Sequence, residues 1–276
     1  MNEARLSELL SFARDAAWAG AAVLERNARH LTGRRLAFAD KSSPIDLLTE
    51  VDGESERAVL SVLENAGVPV VAEEGGRVSG AGDAVFYVDP LDGTTNYAHG
   101  HPFHAVSIGL LVDGVPELGV VHAPMLGTVW SGGRRLGATR KDLFRGHEHP
   151  LAVSDVASLG AGLCATGFPI DRRTSSDDNL SAFGAMTKQT HGVLRCGSAA
   201  LDLALVADGT FDGYWERKLG PWDIAAGAAL VLAAGGRISD PWGRPFAVET
   251  GTIVATNGRV HDALLSAIAP HQPEVS

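Results

Sequence analysis

From residue 2 to about residue 30, apolar side chains recur every three or four positions. Leu6, Leu9, Leu10 and Phe12 open the stripe, and this period predicts an amphipathic helix. A second helix is read over "LTEVDGESERAVLSVLENAG", where Ala58, Val59, Val62 and Leu63 share one side and Gly67 supplies the stop. The pattern then shortens. "VPVVA" (68–72) and "AVFYV" (84–88) are continuous apolar runs, read as short strands that end on Glu73-Glu74 and on Asp89. "FHAVSIGLLV", the pair Asp113-Gly114, "PELGVVHAP" and "GTVWSGG" predict an antiparallel meander, because Asp-Gly between two apolar runs is a strong hairpin signal. The basic stretch "GGRRLGATRKD" (132–142) reads as a solvated connection.

From about residue 150 strands and helices alternate. "GLCATGF" is a strand, 178–190 a helix, "GVLRCG" a strand and "SAALDLALVADG" a helix. The strand "FDGYWE", a helix over 222–234 closed by Gly235-Gly236, the strand "TIVAT" and a helix over roughly 259–268 follow. The expectation is an α+β half over 1–150 and an α/β half over 151–276.

Composition narrows the function classes. With 23 basic and 33 acidic residues the net charge is −10, which opposes nucleic acid and anionic membranes as partners. The N-terminal pattern carries charges throughout, unlike a signal peptide, and no apolar run is long enough to span a bilayer. Cys164 and Cys196 form no CxxC pattern, so free thiols in the cytoplasm are expected.

The chemistry concentrates in "FYVDPLDGTTNYAHG" (86–100). Asp, Pro, Gly, Thr and Asn are all turn formers, so a plain loop is one reading. An EF-hand loop fails, because its ligands alternate and a glutamate closes it. An aspartyl-phosphate nucleophile of the haloacid-dehalogenase type needs two aspartates two residues apart, and Asp89 and Asp92 are three apart. A hard-cation site gains from the neighbours: Glu73 ends a strand, and Asp223 stands at a helix start where it also suits capping. If these four carboxylates converge, about two or three divalent ions are needed to neutralise them and attract a phosphate dianion. His99, His101 and His104 lack the ligand spacing of a zinc site and read as loop and strand residues. Trp215 and Trp222 read as core, and Glu216 by itself as the solvated end of a strand.

The sequence resembles the inositol monophosphatase family of metal-dependent sugar phosphatases. The likeness rests on Glu73-Glu74, on Asp89-Pro90-Leu91-Asp92-Gly93-Thr94-Thr95-Asn96, and on "WDIAAG" from Trp222 with its closing Ala-Gly-Gly. "KSSPIDLLTEVD", "PFHAVSIGLL", "ATGFPID" and "GSAALDLALVADGTFDGYWE" add to it in the family's order over nearly the whole chain.

The resemblance implies a layered αβαβα fold with the site between the halves. It implies hydrolysis of inositol monophosphate and similar small polyol phosphates by a metal-activated water, with two or three Mg²⁺. Glu73, Asp89 and the carbonyl of Leu91 would hold one ion; Asp89, Asp92 and Asp223 a second; Glu73 would help a third. Asp52 and Thr94, with Glu73, would orient the attacking water. The amides of Gly93, Thr94 and Thr95 would receive the phosphate, and Gly197, Ser198, Ala199 and Glu216 would face the alcohol. A homodimer and lithium sensitivity are also implied. Relatives with the same chemistry act on fructose 1,6-bisphosphate, 3′-phosphoadenosine phosphate or histidinol phosphate, and a non-catalytic metal-binding relative is a further alternative. Ala72 and Ala233 replace a glycine and a glutamate common in the family, at positions that carry no expected ligand. Leu194 stands beside Arg195 where some relatives have a second arginine, which bears on substrate preference.

Overall fold

The computed structural model describes residues 1–28, 50–80 and 82–273, with the backbone of 39–40 and 47–48. "KSSPI", the first part of one family-like stretch, therefore lies outside the described residues. The first half contains α1 (Glu3–Ala28), the short pair β1 (Ala39–Asp40) and β2 (Leu47–Leu48), α2 (Glu50–Leu63), β3 (Val70–Ala72), β4 (Arg77–Val78), β5 (Ala84–Asp92) and α3 (Thr94–Ala98). The meander follows as β6 (Ala105–Val112), β7 (Val115–Ala123), β8 (Thr128–Gly133), β9 (Gly137–Asp142) and β10 (Glu148–Pro150). Then come β11 (Leu163–Thr166), α4 (Leu180–Thr187), β12 (Gly192–Leu194), α5 (Ala199–Ala207) and β13 (Gly213–Glu216). The chain ends with α6 (Pro221–Ala233), β14 (Arg237–Ser239), β15 (Ile253–Thr256) and α7 (His261–Ile268).

The large sheet has eight strands in the order β10-β9-β8-β7-β6-β5-β3-β4, and only the β3–β5 pair is parallel. The Asp113-Gly114 turn joins β6 and β7 with both residues at positive φ, 53° and 75°, as a tight hairpin requires. Period-2 alternation on β6 sends Val106, Ile108 and Leu110 into a core with α1 and α2, which supply Leu6, Leu9, Leu24, Val59 and Leu63. The opposite face, with Ala105, Leu111, Val121 and Ala123, packs on α5 and α6. Both faces are therefore dry, which explains the unbroken apolar run "AVSIGLL".

Helix α6 is apolar almost all round and buried, and it lies close on the sheet because small residues face it. A Cβ at Gly109 or Gly119 would overlap the backbone of Ala225 and Ala226. A second sheet, β12-β11-β13-β15-β14, covers the other side of α5 and α6. Its strands β12, β11 and β13 are parallel, while β15 runs antiparallel to both of its neighbours, β13 and β14. Trp215 and Val254 on its outer face meet Met186 of α4 and Leu264 and Ile268 of α7. The layers are thus helix, sheet, helix, sheet, helix: the αβαβα arrangement.

Three expectations are corrected. The basic stretch 132–142 is not a loop: Gly133 ends β8, 137–142 forms β9, and only Arg134–Leu136 turns. β5 does not stop at Asp89 but continues through a bulge to Asp92. Trp222 is half-buried, not core.

Candidate active site

The bulge delivers the acidic pair. Asp89 pairs with Ser107 and Asp92 with Ala105, so β5 carries one residue more than β6 over this span. The strand bends there, and the Asp89 carboxylate accepts the Leu91 N–H at 2.9 Å. Helix α6 begins beside this point. Gly220 precedes Pro221 at its first position, and the Asp223 carboxylate accepts the Gly220 N–H at 2.7 Å. Asp223 therefore both caps the helix and reaches the strand end. Asp89, Asp92 and Asp223 offer oxygens within 4.8 Å of one another, and Asp52, Glu73 and Glu74 form a second such group.

The two groups act electrostatically as one. Asp89 is pushed well above the usual carboxylate range, first by burial, then by the charges of Glu73, Asp92, Asp223 and Asp52. Asp223 is raised by burial, Glu73 and Asp92. Asp92 sits at about 6: burial raises it, while donors from Ser198 and Ala200 hold it back. Buried carboxylates that repel one another call for protons or cations. The donor set is all oxygen, which fits a hard divalent cation and not a thiolate or imidazole site. His99 and His101 are exposed and His104 is buried against the Tyr97 ring at 4.8 Å; none joins either group.

Thr94 lies at the start of α3, with its hydroxyl 3.1 Å from the Leu91 carbonyl and 3.4 Å from Asp52. Gly93 precedes it at φ 90°, where a Cβ would press on the Phe103 carbonyl. The first N–H groups of a helix lack intrahelical acceptors, as at Thr94 and Thr95, while the Gly93 N–H donates to the Asp92 carboxylate. The Asn96 amide fixes this turn against the second half, donating to Phe103 O at 2.7 Å and Cys196 O at 2.9 Å.

A cavity of about 130 Å³ adjoins the aspartates, lined by Asp92, Arg195, Ser198, Asp202, Glu216 and Asp223 among others. Gly197 and Ala199 also reach it. The Ser198 hydroxyl, in the cavity lining, donates to Asp92 at 2.5 Å and caps α5 by accepting the Leu201 N–H. The Ala200 N–H donates to the same Asp92 oxygen at 2.7 Å. Glu216 is buried, not solvated. Its carboxylate accepts the Tyr214 hydroxyl and is raised to about 7, mainly by burial.

Sequence reasoning missed three supporting residues. Ser55 donates to Pro90 O at 2.9 Å, and Glu56, one turn after Asp52, accepts the Glu74 N–H at 2.9 Å. Asp202, one turn after Ser198, shares its cavity; helical spacing in "GSAALDL" was the available signal.

Comparison with known proteins agrees with this geometry. The model of the inositol monophosphatase family matches residues 5–274. An inositol-1-monophosphatase of Synechocystis is 40% identical over 87% of this chain and 82% of its own. A Nus factor SuhB of Pseudomonas aeruginosa is 42% identical over 83% of this chain and 84% of its own. The structure of inositol monophosphatase from Anabaena superposes with a TM-score of 0.83 at 40% identity, covering 97% of both chains. The chain belongs to the inositol monophosphatase family, a family of metal-dependent phosphatases.

Proposed function

We propose that this phosphatase hydrolyses inositol monophosphate and similar small polyol phosphates with Mg²⁺. The observation that carries the reading is the convergence of carboxylates from α2, the end of β3, β5 and α6 around the β5 bulge, beside a small polar cavity. Glu73, Asp89, Asp92, Asp223 and the Leu91 carbonyl would hold the ions. Bound there, Mg²⁺ would supply positive charge for the phosphoryl group and a water acidic enough to ionise near neutral pH.

The remaining roles fall to the chain itself. Thr94 and Thr95 would present N–H groups to the phosphate, with Gly93, whose N–H also donates to Asp92, completing the turn around it. Thr94 directs its proton toward Leu91 O or Asp52, leaving an oxygen lone pair to accept from the attacking water. Asp52 and Glu73 orient that water, and Glu216 positions the alcohol. The division into 1–150 and 151–276 with the site between them, a homodimer, a cytoplasmic setting and inhibition by lithium belong to the same proposal.

The relative named a Nus factor supports a second reading, in which the fold serves as such a factor. The complete carboxylate set favours catalysis. Phosphate release from inositol 1-phosphate, fructose 1,6-bisphosphate, 3′-phosphoadenosine phosphate and histidinol phosphate, with Mg²⁺ or with chelator, separates the two. Inositol 1-phosphate is expected to lead. Asp92→Asn and Asp223→Asn are each expected to abolish Mg²⁺-dependent release while the circular dichroism spectrum is kept. Undiminished activity in both would sink the site assignment.

A further inference from the structure

We propose that Asp202 is a second substrate-binding carboxylate, which takes a hydroxyl of the alcohol half and sets the preference for polyol esters. The inference rests on the phosphatase reading above and adds a specificity residue to it.

Asp202 is 2% exposed and lines the same cavity as Glu216. The Cys196 thiol is one hydrogen-bond neighbour of its carboxylate. Its Oδ1, also buried, has no hydrogen-bond partner among the described residues. A buried carboxylate oxygen without a donor is destabilising and rare in folded chains.

Helix capping does not account for the side chain. The Leu201 N–H already goes to the Ser198 hydroxyl and the Asp202 N–H to the Ser198 carbonyl. No ion pair among the described residues includes Asp202 either. Besides Asp92 and Asp223, the cavity lining thus presents two acceptors, Glu216 and Asp202, against one side-chain cation, Arg195.

Gly167 keeps this wall open, since a Cβ there would overlap the Glu216 carboxylate. A ligand that brings several O–H donors matches such a wall. A site built to hydrogen-bond a substrate hydroxyl also rejects the analogue that lacks it, because its own polar atoms are then left bare. The Asp202 carboxylate is the group that an ester without hydroxyls would leave bare.

The test is steady-state kinetics of the full chain with Mg²⁺ on inositol 1-phosphate and on phenyl phosphate, whose alcohol side has no further hydroxyl. Asp202→Ala is expected to lower the ratio of kcat/KM for inositol 1-phosphate over phenyl phosphate by about tenfold, the loss on the polyol ester falling in KM. Asp202→Asn has the same shape and one acceptor oxygen instead of two. It is expected to lower the ratio by about threefold, and it decides the matter if the alanine variant does not fold. An unchanged ratio, or an equal loss on both esters, overturns the role of Asp202. If the wild type hydrolyses phenyl phosphate but not inositol 1-phosphate, the substrate reading fails and this inference with it. Wild-type activity on the polyol ester with unaltered variants overturns this inference alone.

Discussion

Ser198 uses one hydroxyl twice, donating to Asp92 and accepting from the first turn of α5. Replacing it with alanine removes a helix cap, a loss of about 1 kcal/mol, and also one of the donors that keep Asp92 from rising further. Ser198→Ala is therefore expected to lower the melting temperature and to raise the Mg²⁺ concentration for half-maximal activity several-fold. Ser198→Thr, which keeps the hydroxyl, should stay near the wild type. A metal titration of both variants checks this, and equal titration curves would show that the Ser198–Asp92 bond does not tune the site.

At the scale of elements, the placement of Asp223 depends on how closely α6 lies on β6 and β7. Gly119 faces the Ala226 carbonyl with no room for a Cβ. Gly119→Ala must push the helix away, at about 1–3 kcal/mol for an overpacked core, and carry Asp223 from the bulge. The expected result is a melting temperature lower by several degrees together with weaker Mg²⁺ dependence, measured by calorimetry and phosphate release. Loss of stability with the metal response intact would separate the packing from the site.

Much of this level was readable in the residues, and for identifiable reasons. α1, α2, α5 and α6 have long local periods, and the β6–β7 hairpin has its Asp-Gly turn. β9 and β14 escaped because they are short and polar or only half-covered, so their pairing is set by neighbouring strands. In the site, the acidic residues stand out as types in the sequence. The bond from Ser198 to Asp92 joins residues 106 positions apart, and no local pattern encodes it.

Across the whole molecule, two sets of buried groups tilt stability with pH in opposite directions. His104, His122 and His261 are each pushed down to about 4 from 6.5, first of all by burial. Between those values the unfolded chain binds more protons than the folded one, so stability is lost as the pH falls. Asp92 is raised to about 6 and Glu216 to about 7 from 3.8 and 4.5, so the metal-free folded chain binds more protons there and loses stability as the pH rises. Cations that hold Asp92 ionised remove part of the second trend. Thermal melts in excess Mg²⁺ should therefore fall steeply from pH 6.5 toward pH 4, and melts with chelator should give a flatter profile. Superimposable profiles would argue that no cation binds the cluster.

The close seat of α6 also bears on how the chain is made. Strands β6 and β7 leave the ribosome with Gly109 and Gly119 bare, and the helix that covers them, Pro221–Ala233, is synthesised much later. During that interval one face of the largest sheet is an uncovered apolar plane, and the acidic pair at the end of β5 waits for its third member. A nascent chain halted before Pro221 would have neither. Translation speed and chaperone access over that stretch thus become determinants of how much active protein a cell obtains from each message.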